Sequence, residues 1–190
     1  MTMQEQTITL EPWLRSLTRS EVSWLTDVQK NRAIWMPQSS PQWEAALSRA
    51  DEIYYGGSAG GGKTDLVLGL ALSAHQDAIV FRRELTQLRG TTGLIERSRE
   101  IIGKRGRYNG MEHTWRDLPG DRALEFGACQ YAGDERKYQG RPHDFIGFDE
   151  LPEFLESQYR FLGGWLRTVI EGQRCRIVCA GNPPMHANGQ

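Results

Sequence analysis

The chain has 190 residues, 38% of them hydrophobic and 25% charged, the balance of one soluble globular domain with a real core rather than a disordered chain. A formal net charge of −1 excludes overall basicity as a source of nucleic-acid affinity and leaves local patches to provide it. No apolar run approaches the roughly 20 residues of a membrane helix, the N-terminus lacks a signal-peptide pattern, and Cys129, Cys175 and Cys179, without paired metal spacing, read as reduced thiols of a cytosolic protein.

In chain order, residues 1–50 read as polar and helical, with Trp13, Leu14, Leu17, Val22, Trp24 and Leu25 as a broken apolar stripe. Met36 to Pro41 has the composition of a linker, and a short helix over Gln42–Ser48 follows. Glu52–Tyr55 is a β-prone run ended by glycines. Asp65–His75 predicts a helix apolar on most sides, and Ala78–Phe81 a buried strand. Leu85–Lys104 predicts a helix interrupted near Gly90 and Gly93. Trp115–Tyr131 predicts antiparallel strands turning at Pro119-Gly120-Asp121. Phe145–Phe148 and Arg176–Ala180 are two further buried strands separated by a helical stretch. Strands alternating with helices predict an α/β fold, a mostly parallel central sheet covered by helices on both faces.

Gly57-Ser58-Ala59-Gly60-Gly61-Gly62-Lys63-Thr64 is a full match to G-x-x-x-x-G-K-[ST], set between a strand and an apolar helix. Glycines let the backbone wrap a phosphate with its N–H groups inward, and the following helix adds its positive dipole end. Lys63 would supply charge to the β- and γ-phosphates of ATP, and the Thr64 hydroxyl would coordinate magnesium. The run ending Gly147-Phe148-Asp149-Glu150 places two acids at the end of a hydrophobic strand. Asp149 would hold magnesium through a bound water, and Glu150 would polarise the attacking water.

Asn182, just past the last strand, is positioned either to sense the γ-phosphate or simply to end the strand in an Asn-Pro turn. Gln42 is a candidate reader of the adenine amino group, with Trp43 or Tyr55 to stack on the base, against ordinary roles on a helix surface and in the core. Arg136 and Arg141, either side of Gly140, are arginine-finger candidates across a subunit boundary or solvated surface charges. Arg82-Arg83 and Lys104-Arg105-Gly106-Arg107 are the basic clusters, open to DNA phosphates or to solvent. His75, His113, His143 and His186 show no metal spacing and read as structural.

Taken together, Tyr54 to Asp65, Phe81-Arg82-Arg83, Lys137 to Asp144, Gly147-Phe148-Asp149-Glu150 and Gly181-Asn182-Pro183-Pro184 resemble the motor half of the large terminase subunits of tailed bacteriophages. The resemblance runs from about Pro41 to Pro184. It implies a P-loop NTPase of the ASCE type that hydrolyses ATP with magnesium to move double-stranded DNA into a procapsid. It also implies work as a homo-oligomeric ring on a portal protein, with a small terminase subunit as partner, in the cytoplasm of an infected bacterium and away from membranes. Under it Lys63 and Thr64 carry the loop roles, Asp149 the magnesium role, Glu150 catalysis and Asn182 coupling. Many relatives carry an arginine directly before the glycine at position 140. Here that residue is Gln139, which leaves both Arg136 and Arg141 as finger candidates.

The resulting expectation is a helical lead-in and linker over 1–40 and a P-loop ATPase domain over 41–190, truncated ahead of the nuclease domain usual in such subunits. Two other functions fit parts of the same pattern: a helicase-like or replication ATPase, and a nucleotide-binding assembly module with little turnover. Downstream strand-separating motifs would favour the first and are not visible. Glu150 counts against the second, since a switch needs no residue poised to activate water.

Overall fold

The computed structural model describes residues 16–30, 32–58 and 60–182. Trp13 and Leu14 of the N-terminal stripe, Ala59 of the phosphate loop, Pro183, Pro184 and His186 lie outside the described residues. The chain runs α1 (Arg19–Gln29), α2 (Ser40–Leu47), β1 (Glu52–Gly56), α3 (Lys63–Ser73), β2 (Asp77–Arg82), α4 (Leu85–Arg89) and α5 (Leu94–Ile102). It continues through β3 (Arg107–Asn109), β4 (Thr114–Leu118), β5 (Arg122–Ala128), β6 (Phe145–Asp149), α6 (Glu156–Gly163) and β7 (Arg176–Gly181). Short 3₁₀ helices cover Asp134–Tyr138 and Leu151–Glu153.

One seven-stranded sheet has the order β1-β7-β6-β2-β5-β4-β3. Neighbours from β1 to β5 pair in parallel, and β4 and β3 close one edge antiparallel. β7 therefore lies between the strand that feeds the glycine loop and the strand that ends in Asp149. This inserted strand is consistent with the ASCE arrangement that the resemblance implies.

The alternation of side chains along each strand divides the core in two. Ala78, Val80, Phe145, Val178 and Ala180 face α3, the most buried helix, and share a cluster with Trp24 of α1, Trp35, Ala45 of α2 and Ile95 of α5. Ile79, Phe81, Ile146, Phe148, Ile177 and Cys179 face the other way, against Leu162 of α6 and the aromatic rings of Tyr138, Phe154 and Tyr159. The polar lead-in thus contributes Trp24 directly to the main core, where its Nε1 donates to Trp35 O at 3.2 Å.

Two local readings shift and one holds. α2 begins at Ser40, inside the stretch read as a linker, because Pro41 falls in its first turn, where its missing N–H costs nothing. The helix over Leu85–Lys104 breaks at the glycines as expected. A Cβ on Gly93 would stand 2.5 Å from Leu88 O, so the chain can pass there only without a side chain. The strand β3 had no sequence signal of its own. It is three residues long and exists through pairing with Thr114, Trp115 and Arg116.

At the amino edge of the sheet, buried His75 Nδ1 lies 3.4 Å from Asp144 Oδ1, while Asp144 Oδ2 accepts from Gln76 N at 2.8 Å. Burial pushes the imidazole below its ordinary value of 6.5, against the pull of Asp144 and with the push of Arg176 and Arg174. The folded chain therefore keeps His75 neutral where the unfolded chain protonates it, so stability rises with pH through and below that ordinary value. Acidification from about pH 7.5 to about pH 5.5 is expected to lower the melting temperature, and His75→Gln to flatten the slope. Identical slopes in the two proteins would remove His75 as the cause.

Candidate nucleotide site

The strand alternation that builds the core also aims three polar side chains at one place. Val80 faces α3, so Arg82, two residues on, leaves β2 on that side. Gly147 lies against Val67 of α3, so Asp149 leaves β6 on the same side. Ala180 pairs with Asp149 across β6 and β7, and Asn182 follows two residues beyond it. All three lie at the carboxyl edge of the parallel strands, where β1 delivers the glycine loop and α3 begins.

The loop has the backbone its glycines permit, with φ of +80° at Gly60 and +69° at Gly62, the residue capping α3. Gly61 N donates to Ser58 O at 3.3 Å. The first turn of α3 leaves N–H groups without intrahelical acceptors, the feature that suits such a helix end to phosphate. Lys63 is 7% exposed, and its ammonium donates to Gly57 O at 3.0 Å, Ser58 O at 2.7 Å and Asn182 Oδ1 at 2.9 Å. Those contacts use all three of its protons. Tyr54 of β1 donates to Asn182 O at 3.3 Å and steadies the same turn.

Thr64 Oγ1 lies 3.2 Å from both carboxylate oxygens of Asp149. Arg82 donates to Asp149 Oδ2 from Nε at 2.8 Å, with its Nη2 at 2.6 Å from the same oxygen. Asp149 is fully buried. Burial pushes its carboxyl above the ordinary value, and Arg82 and Thr64 pull it back. Thr64 and Asp149 are hard oxygen donors held side by side. Two such oxygens are what magnesium takes from a protein when phosphates and water complete its shell. Among the described residues no group of three or more His, Cys, Asp or Glu side chains could hold a metal by itself.

Glu150 stands in the left-handed region at φ 61° and ψ 55°, rare for a residue with a side chain, as the cap of the Leu151–Glu153 helix. Its Oε2 accepts from Asn182 N at 3.3 Å, the side chain's single hydrogen bond among the described residues, while its backbone carbonyl accepts from Glu153 N at 3.0 Å.

The other sequence candidates separate. Gln42 reaches the loop, but as a clamp on its backbone: Nε2 donates to Gly62 O at 3.0 Å and Oε1 accepts from Gln38 N at 2.7 Å. Trp43 packs near Trp24 and Tyr55 against the main core. Arg141 leads into the amino end of β6, where it donates to Glu125 Oε2 at 2.6 Å and lies over the Tyr138 ring. It is therefore about a strand's length from Asp149. Arg136 is exposed on the 3₁₀ helix beyond the carboxyl end of β5. Among the described residues neither arginine side chain makes a hydrogen bond or ion pair with the loop. The basic clusters are engaged within the chain: Arg83 donates to Gln158 at 2.6 Å, Arg105 to the carbonyls of Ala33, Ile34, Ile101 and Ile102, and Arg107 to Asp117. Arg82, which the sequence presents as part of a basic pair and of a segment carrying the resemblance but with no role in the site, is a residue of the site. The period-two phase it shares with Val80 is the signal that could have found it.

No family model matches the chain, and no curated protein matches it significantly. Solved structures do. The large terminase of a thermophilic bacteriophage superimposes with a TM-score of 0.59 at 15% identity, covering 78% of this chain and 40% of that one. The same terminase in complex with ATP-gamma-S gives 0.59 at 17% identity, covering 77% and 38%. The HK97 bacteriophage large terminase gives 0.58 at 11% identity, covering 77% and 33%. At these identities the likeness is one of fold, and this chain spans 40% or less of those structures' length.

Proposed function

We propose that this chain is a magnesium-dependent ATPase domain that powers movement of double-stranded viral DNA into a procapsid. The observation that carries the reading is the convergence of Lys63, Thr64, Asp149, Glu150 and Asn182, from elements distant in sequence, at the carboxyl edge of one parallel sheet. The fold likeness to large terminases, one of them in complex with ATP-gamma-S, supports it.

In this reading Gly57 to Thr64 wrap the β-phosphate with backbone N–H groups, and Lys63 turns from the loop carbonyls to the β- and γ-phosphates. Thr64 Oγ1 and, through water, Asp149 would hold magnesium. When bound, the ion neutralises charge on the phosphates. Glu150 orients and polarises the attacking water, its carboxylate being held by one long hydrogen bond. Asn182 contacts Lys63 through its side chain and Glu150 through its backbone, so it couples phosphate occupancy to the strand end. Gln42 supports the loop by holding Gly62 O.

Arg136 and Arg141 both stand off the loop, which favours a finger supplied from a neighbouring copy. We accordingly place the chain in a homo-oligomeric ring, with DNA, a portal protein and a small terminase subunit as partners, in the cytoplasm of an infected bacterium. Steady-state ATPase activity, measured with and without double-stranded DNA over a range of protein concentrations, tests the reading. Turnover is expected to rise steeply with both, and Lys63→Ala to lose ATP binding and turnover together. Measurable Mg-ATP binding with no turnover under any condition would instead favour a nucleotide-binding assembly module.

A further inference from the structure

Arg82 and Asp149 end two neighbouring parallel strands, and burial of Phe81 and Phe148 on the opposite face forces both side chains toward α3. The Arg82 fork places two nitrogens on Asp149 Oδ2, at 2.8 and 2.6 Å, and Thr64 Oγ1 bridges both carboxylate oxygens. The Asp149 side chain is 1% exposed, so an ionised carboxylate there needs a cationic partner. Arg82 has that carboxylate as its side-chain partner among the described residues and is itself 21% exposed. It is therefore held by one contact and open to solvent on its other side.

We propose that Arg82 is a positioning residue that neutralises Asp149 while the nucleotide site is empty and keeps free divalent cations off it. The inference rests on the reading of Thr64 and Asp149 as metal-binding residues. A divalent cation beside Asp149 would sit within a few ångströms of the guanidinium, and two cations on one buried carboxylate repel strongly where solvent screening is weak. A phosphate at the loop offers Arg82 a second anionic partner with the bidentate geometry it favours. Asp149 is then released to a cation only when phosphate is present. Nucleotide and metal thus enter together, and the empty chain does not bind metal futilely.

The test is titration of Mn2+, read by the loss of free-ion electron paramagnetic resonance signal, on the nucleotide-free chain. Wild type and Arg82→Lys are expected to bind Mn2+ weakly. Arg82→Gln is expected to bind at least about tenfold tighter, equivalent to ~1.4 kcal/mol. Arg82→Gln combined with Asp149→Asn should return to weak binding. Equal affinity in wild type and a cooperatively melting Arg82→Gln overturns the proposal, as does tightening that survives Asp149→Asn. A second measurement, corrected for the Mn2+ that ADP itself chelates, compares the gain on adding ADP: it should be much larger in wild type than in Arg82→Gln, and an equal gain in the two also overturns the proposal. A wild-type chain that binds no nucleotide defeats the proposed function instead, and the comparison of wild type with Arg82→Gln still decides the role of Arg82.

Discussion

Glu150→Ala is expected to leave ATP binding nearly unchanged and to lower turnover by about 10²- to 10⁴-fold, the range for loss of a positioned general base. The two acids at the end of β6 are held very differently. Asp149 is buried and engaged by Arg82 and Thr64, which suits a group that must stay fixed and ionised. Glu150 is half-buried, and among the described residues its carboxylate accepts one hydrogen bond, from Asn182 N, which leaves most of that carboxylate's acceptor capacity free for water. Its left-handed backbone turns the side chain away from the direction the strand would impose, a strain of the kind stored at functional positions. Among the described residues the Glu150 side chain makes no hydrogen bond to the glycine loop, so binding should survive its removal. Glu150→Gln, which keeps the shape and loses the base, should match the alanine variant. Nucleotide-binding titrations and single-turnover hydrolysis check this, and residual hydrolysis equal to wild type in both variants would take Glu150 out of its assigned role.

Phe81→Ala is expected to cost about 3–5 kcal/mol of stability, the usual range for removing a buried aromatic ring. The ring is 1% exposed, meets Tyr138 edge-on at 4.8 Å and stacks on Phe148 at 5.6 Å, in the cluster that joins the sheet to α6. Gly127 makes room for this ring: a Cβ there would stand 2.3 Å from it. For a chain of this length the loss corresponds to a fall in melting temperature of roughly 10 °C. Calorimetry or thermal circular dichroism would measure it, and a shift under about 2 °C would mean that this face is not packed around Phe81. Because Phe81 sets the phase of β2, the variant should also loosen Arg82 from Asp149. Its nucleotide-free Mn2+ affinity should then move in the same direction as that of Arg82→Gln.

Much of the site is written locally. Gly57 to Thr64 specify a loop and a helix start because glycines adopt φ of +80° and +69° there without the strain a side chain brings. Phe145 to Asp149 specify a buried strand with an acid at its end by composition alone. Gly90 and Gly93 mark the break between α4 and α5, and at Gly93 the backbone passes too close for a side chain. Pro41 reads two ways from composition, since proline ends a helix from within but starts one equally well, and here it starts α2.

What the residues determined by themselves was most of the elements, β3 excepted, and the chemistry at their ends: a phosphate loop, two acids and an asparagine. These depend on neighbours a few positions away, through backbone freedom and the period-two burial of strands. The tertiary structure decided which of those ends meet. β7 inserts between β1 and β6, which sets Asn182 against Lys63 across 119 positions of sequence. β2 pairs with β6, which turns Arg82 from one of a basic pair into the partner of Asp149, 67 positions away. The path into β6 carries Arg141 to the far edge of the sheet, onto Glu125. Strand order follows from how the crossovers pack both faces at once, a property of the whole core, so no stretch of sequence states it on its own.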